Sequence, residues 1–214
     1  MGLLSASLAE RVQRSELGPV IRGAVSRAKA PRWRSAGSPA PAPPHLKVAI
    51  VEEHARRFQP FAFVETGTYR GDTIARIAPL VTKSFSIELD AKLATMARAR
   101  FVDDPSISIL QGDSAEMISE VLSEVDLPTL FWLDGHYSGG VTAGASSCPV
   151  EAELRAILAE PVDHVVLVDD ARCFDGTNGY PTVEEVKALV SELQPTREMQ
   201  VADDIMRIYP RPGR

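Results

Sequence analysis

From residue 48 onward the apolar positions keep two alternating rhythms. Short runs rich in β-branched and aromatic residues (62–65, 84–88, 107–110, 129–134 and 164–169) alternate with longer stretches at 48–58, 72–80, 91–101, 115–124, 150–159 and 182–193, in which apolar residues recur every three or four positions. The first rhythm predicts strands and the second predicts helices. Residues 199–202 and 205–209 add a terminal strand pair. Such alternation predicts an α/β fold with a mostly parallel sheet and helices on both faces. The run at 164–169 is almost wholly apolar, as in a strand buried on both sides.

Upstream, Leu3, Leu4, Leu8, Val12, Leu17, Val20, Ile21 and Val25 recur at mixed three- and four-residue spacing, broken near Gly18-Pro19. That predicts one or two amphipathic helices. Residues 31–44 hold five prolines and no aliphatic run, which predicts an extended linker. The expected organisation is a basic helical extension over 1–30, a Pro-rich linker over 31–44 and a folded domain over 45–214.

Ligands on a sheet of this kind bind at the carboxyl ends of the strands. Those positions carry Glu65, Glu88, Gln111-Gly112-Asp113, Asp134-Gly135-His136 and Asp169-Asp170. One acid at a strand end is commonly a helix cap, but several on one edge repel unless cationic or hydrogen-bonding ligands lie among them. After the first strand comes Glu65-Thr66-Gly67-Thr68-Tyr69-Arg70-Gly71-Asp72-Thr73, a tight turn into a helix start. It is not the G-x-G-x-x-G of dinucleotide sites, and its acid suits a cationic or hydroxyl-rich ligand, which points to S-adenosylmethionine. Glu88 follows 23 residues after Glu65, where such sheets place an acid on ribose hydroxyls; Asp90 is better placed to cap the next helix. Asp113 can cap the following helix, accept from an adenine amino group, or both.

Asp134, Asp169 and Asp170 form a second group. Three carboxylates from neighbouring strands suit Mg²⁺ or another hard divalent cation, unless Arg172 neutralises a simple turn. His136 stands two residues beyond Asp134, in a loop with four glycines in fifteen residues, and its ordinary pKa makes it the natural proton acceptor near neutrality. His45, His54 and His164 are expected to be structural, and Trp132 to pack in the core.

Charge and cysteine content narrow the classes further. The net charge of −6 is uneven, with seven Lys/Arg against Glu10 and Glu16 in the first 35 residues and the remainder strongly acidic. An acidic domain argues against nucleic acid as a partner. The basic helices are expected to pair with that domain, to dock on a membrane surface or a partner, or to join copies into a homo-oligomer. Two cysteines without paired spacing argue against a disulfide framework or a zinc knuckle and favour a reducing, cytoplasmic setting. No apolar run reaches the length of a membrane span, and a secretory signal is not expected.

Taken in order, Glu65-Thr66-Gly67-Thr68-Tyr69-Arg70-Gly71, Ile87-Glu88-Leu89, Gln111-Gly112-Asp113 and Phe131-Trp132-Leu133-Asp134-Gly135 resemble the motifs of class I S-adenosylmethionine-dependent methyltransferases, over about residues 45–210. The chain is similar to a group of bacterial proteins carrying VETGTY, LDGHYSGG and DDAR, often encoded near polysaccharide genes. The resemblance implies a Rossmann-like seven-stranded sheet whose last strand is antiparallel. It implies S-adenosylmethionine held by Glu65, Thr66, Gly67, Tyr69, Gly71, Thr73, Glu88, Asp113 and Ser114. The aspartates resemble the divalent-metal site of catechol-type and macrolide-sugar O-methyltransferases, although the third ligand there is often Asn where this chain has Asp170. The catalytic lysine of the catechol enzymes has no counterpart, and His136 is the nearest candidate. The expected activity is metal-assisted transfer of a methyl group to a hydroxyl of a sugar, glycan or small natural product, with Asp134 and His136 catalytic. A non-catalytic cofactor-binding scaffold and a methyltransferase-fold hydroxylase are the alternatives.

Overall fold

A computed structural model describes residues 31, 33–135 and 148–211. The basic extension over 1–30, and His136 with most of its loop, lie outside the described residues. The first long helix among the described residues, α1, runs over Pro44–Phe58. It begins inside the Pro-rich segment because proline at the first helical position loses no hydrogen bond and arrives with helical φ. Within that segment Trp33 packs against the core and Ala42 is buried.

The alternation then follows the predicted order: β1 (Ala62–Thr66), α2 (Asp72–Ile77), β2 (Lys83–Glu88), α3 (Ala91–Arg100), β3 (Ile107–Gln111), α4 (Ser114–Ser123), β4 (Thr129–Leu133), α5 (Val150–Ala159), β5 (Val165–Val168), α6 (Val183–Leu193), β6 (Arg197–Ala202) and β7 (Ile205–Pro210). The strands form one sheet in the order β3-β2-β1-β4-β5-β7-β6. The first five are parallel, and β7 runs antiparallel between β5 and β6. This is the seven-stranded arrangement expected from the motifs, with the last strand reversed.

Period-two alternation divides each central strand between two cores. Val64, Phe131, Leu133, Val166 and Val168 face α4, α5 and α6, whereas Phe63, Leu130, Trp132, Val165 and Leu167 face α1 and α2. Burial on both faces is why these strands are continuously apolar. Local signals set the helix starts. Asp90 accepts from the Lys92 and Leu93 N–H groups at 2.8 and 2.9 Å, and Thr182 and Glu185 form a capping box at α6. No helix among the described residues is long and apolar enough to cross a membrane. His54 and His164 are buried as expected; His54 Nδ1 contacts the Ile50 carbonyl, and His164 Nδ1 accepts from the Thr129 N–H.

Candidate active site

Strand order reverses between β1 and β4, so the crevice opens where the loops after these strands diverge. The turn after β1 is stitched to both neighbours. The Gly67 N–H donates to Ile87 O at 2.9 Å, and the Asp134 N–H donates to Thr66 O at 3.1 Å. Gly67 has φ +85°, and a Cβ there would lie 2.6 Å from the Asp134 carbonyl oxygen. Only glycine lets β1 leave the sheet this close to β4. Gly71, with φ +70°, caps α2, and a Cβ on it would meet the Phe101 ring at 2.8 Å. The close approach at each glycine is therefore to protein. Tyr69 projects from the turn, 61% exposed, with the Arg70 guanidinium 5.4 Å from its ring.

Glu65 lies beneath the turn and is 1% exposed. Ser86 Oγ donates to it at 2.7 Å, and the Thr68 hydroxyl meets Ser86 Oγ at 2.6 Å. Burial pushes the Glu65 carboxyl up to about 8 despite the Ser86 hydrogen bond. Glu88, at the end of β2, accepts from the Tyr69 N–H at 2.8 Å and from the Asp90 N–H at 3.0 Å. It latches the turn to the second strand end, while Asp90 caps α3. Asp113 caps α4 by accepting from the Ala115 N–H at 3.0 Å, so its capping reading holds. Thr66 Oγ1 accepts from the Gly135 N–H at 3.1 Å. Ser114 is buried beside Gly135, and Thr73 is half-buried in the first turn of α2.

Below this edge Glu153 of α5 is fully buried, and neither of its carboxyl oxygens has a hydrogen bond of ordinary geometry. Burial pushes it up to about 7, with the Ser114 and Thr66 hydroxyls working against that rise.

The second half of the edge holds Asp134, Asp169 and Asp170, brought together as the spacing suggested. Asp169 follows β5, its N–H donating to Leu133 O at 3.0 Å. Asp170 takes a left-handed conformation, φ +51°. The expected divalent-cation site, however, is filled by a side chain. Lys47 Nζ, from the first turn of α1, donates to Asp169 Oδ2 at 2.6 Å and also to Asp170 Oδ1. Arg172 Nη1 reaches that same Asp170 oxygen at 2.7 Å and also pairs with Asp204. Asp169 Oδ1 accepts from the Asp170 N–H at 2.7 Å.

Burial alone would lower Lys47 and raise Asp170, but Asp169 first and Asp170 after it hold Lys47 above the usual amine range, and Lys47 together with Arg172 holds Asp170 below the usual carboxylate range. Burial and then the charge of Asp169 lift the Asp134 carboxyl well above its ordinary value. Asp169 is pulled both ways, upward by burial and Asp170 and downward by Lys47. Mg²⁺ needs near-octahedral oxygen ligands at about 2.1 Å. Here the oxygens it would use on Asp169 and Asp170 already carry an ammonium and a guanidinium, and among the described residues no group of three His, Cys, Asp or Glu side chains is arranged to hold a metal. The residues present do not fit the metal that the sequence motifs implied.

No protein-family model matches the chain, and no curated protein matches it. Solved structures do match. The methyltransferase PaMTH1 of Podospora anserina, bound to S-adenosylhomocysteine, is 14% identical, with 99% of this chain and 97% of that chain covered at a TM-score of 0.55. The O-methyltransferase TomG of Streptomyces achromogenes, in complex with S-adenosylmethionine, is 16% identical over 88% and 89% at 0.56. An O-methyltransferase of Bacillus cereus in complex with S-adenosylhomocysteine is 14% identical over 95% and 97% at 0.56. This chain has the class I methyltransferase fold. Within that fold, sequence reasoning missed Lys47, Ser86 and Glu153. Ser86 left a trace, as one of two serines alternating with Phe85 on a buried strand. Lys47 and Glu153 left none, since a single Lys or Glu on a helix reads as a solvated face.

Proposed function

We propose that the chain is an S-adenosylmethionine-dependent O-methyltransferase acting on a hydroxyl of a sugar, glycan or small natural product. The observation that carries this reading is the glycine turn at the β1–β4 switch point, with Glu65 buried beneath it and Glu88 beside it. The fold it shares with proteins bound to S-adenosylmethionine or its demethylated product supports the same cofactor. When bound, S-adenosylmethionine supplies a sulfonium methyl group whose carbon–sulfur electron pair stays on sulfur. The ammonium of its methionine part would ionise Glu65, which burial otherwise keeps protonated. Thr66, Gly67, Tyr69, Gly71 and Thr73 would hold that part, Glu88 would take the ribose hydroxyls, and Asp113 with Ser114 would meet the adenine edge. His136 would accept the proton of the acceptor hydroxyl, and Asp134 with its neighbours would orient the acceptor toward the methyl group that the cofactor supplies. Cys148 and Cys173 form no disulfide, which suits work in the cytoplasm.

Calorimetric titration with S-adenosylmethionine and S-adenosylhomocysteine tests the cofactor half. We expect binding of both, and about tenfold weaker binding after Glu88→Gln, which removes a charged acceptor while keeping its shape. A chain that bound neither would not be a methyltransferase. Binding without turnover on any hydroxylated sugar or phenol would point to a scaffold.

A further inference from the structure

The acid cluster that the sequence motifs marked for a metal holds a lysine instead. We infer that Lys47 is the resident cation of the acceptor site, that it takes the place of a divalent ion there, and that the third hydrogen of its ammonium holds the acceptor oxygen. The inference rests on the methyltransferase reading for the acceptor, but the displacement of a metal stands on geometry alone.

An ammonium has three donors. Two of those of Lys47 lie on Asp169 and Asp170. The side chain of Lys47 keeps 14% of its surface exposed while that of Asp169 keeps 1%, so the pair is largely withdrawn from water without being sealed off. Asp169 spends its other oxygen on the Asp170 backbone N–H, and Asp170 shares the Lys47-bound oxygen with Arg172. A divalent ion entering here would have to displace Lys47 from both carboxylates. It would then sit within a few ångströms of two fixed positive charges, in surroundings where charges interact more strongly than in water. Helix α1 thus delivers the cation through a residue 122 positions distant in sequence from the acid it neutralises. In chemical terms an ammonium polarises a hydroxyl far less than Mg²⁺ would. Its contribution is to place the oxygen, and removal of the hydroxyl proton is left to a base.

Electron paramagnetic resonance of added Mn²⁺ tests this without any acceptor. The wild-type protein is expected to leave the free Mn²⁺ signal unchanged. Lys47→Gln, shown to be folded by circular dichroism, is expected to bind Mn²⁺ at least about tenfold more tightly than wild type, and Asp169→Asn added to it should abolish the gain. Lys47→Arg, which keeps the charge, should bind no better than wild type. Wild-type binding of Mn²⁺ that Asp169→Asn removes would overturn the proposal, and so would a folded Lys47→Gln protein that gains nothing. If Lys47→Gln failed to fold, the wild-type measurement and Lys47→Arg would still decide it. S-adenosylhomocysteine titrated in parallel should bind wild type equally with EDTA or Mg²⁺. If that ligand did not bind at all, the methyltransferase reading would fail while the Mn²⁺ result kept its meaning.

Discussion

Glu65 and Glu153 contribute, beside the raised Asp134, to the response of the ligand-free protein to pH. Glu65 and Glu153 are lifted by burial to about 8 and about 7 from an ordinary value of 4.5. A group raised on folding contributes its stability fully below its unfolded pKa and loses it as pH rises through the folded one. Between pH 4.5 and about 7 both acids therefore cost stability as pH rises, and between about 7 and about 8 only Glu65 does, each at roughly 1.4 kcal/mol per pH unit. His164 works the other way: burial drops it from 6.5 to about 4, so its contribution is present above 6.5 and lost as pH falls through about 4. Urea denaturation from pH 5.5 to 8.5 should show stability declining toward the alkaline end. Glu65→Gln should flatten the part above pH 7, and Glu153→Gln should remove much of the decline below it. The same proton couples to function. If a cationic ligand binds against ionised Glu65, its affinity should weaken up to about tenfold per pH unit as pH falls below 8, which titration at several pH values would read.

Among the elements, the turn between β1 and α2 is the least tolerant of change. Gly67→Ala would place a methyl group 2.6 Å from the Asp134 carbonyl oxygen while holding φ at +85°. Backbone strain of this kind costs of order 1–3 kcal/mol before any clash is relieved, and relief means prising β1 from β4. Thermal melts should show a loss of at least about 3 kcal/mol, with cofactor binding weakened alongside. These elements were legible in the chain because strand and helix periodicities are local: every segment predicted from residue 48 onward appears, and boundaries move by at most two residues except at the start of α1 and at the end of α2, where residues 78–80 form a 3-10 turn instead. At α1, Pro43-Pro44 read as linker and the helix as starting at Val48, so the first turn carrying Lys47 was missed. The acids of the site were legible because strand ends can be counted. What they bind to was not. An ion pair between residues 47 and 169 depends on where α1 lies against the sheet, which no window of sequence contains. Glu153 was illegible for a related reason: an acid on a helix reads as exposed until the helix's packed face is known. Replacing Lys47 by Ala leaves two buried carboxylates short of a partner and should cost about 3–5 kcal/mol, measurable by the same melts.

On the scale of the whole molecule, the sheet grows outward from β1. Its first three strands pair within residues 62–111, each with its neighbour in sequence. The β1–β4 pairing bridges a longer interval, and the joining of Lys47 to Asp169 spans more of the chain than either. Loop closure disfavours such distant contacts until the intervening structure exists. The charge clasp is therefore expected to form after the rate-limiting step of folding. Late contacts carry φ-values near zero, so weakening them changes how fast a protein opens rather than how fast it assembles. In stopped-flow measurements Lys47→Ala should leave the refolding limb near that of wild type and raise the unfolding limb by nearly its whole loss of stability. The residue that neutralises the acceptor site would then also set how long the folded molecule lasts.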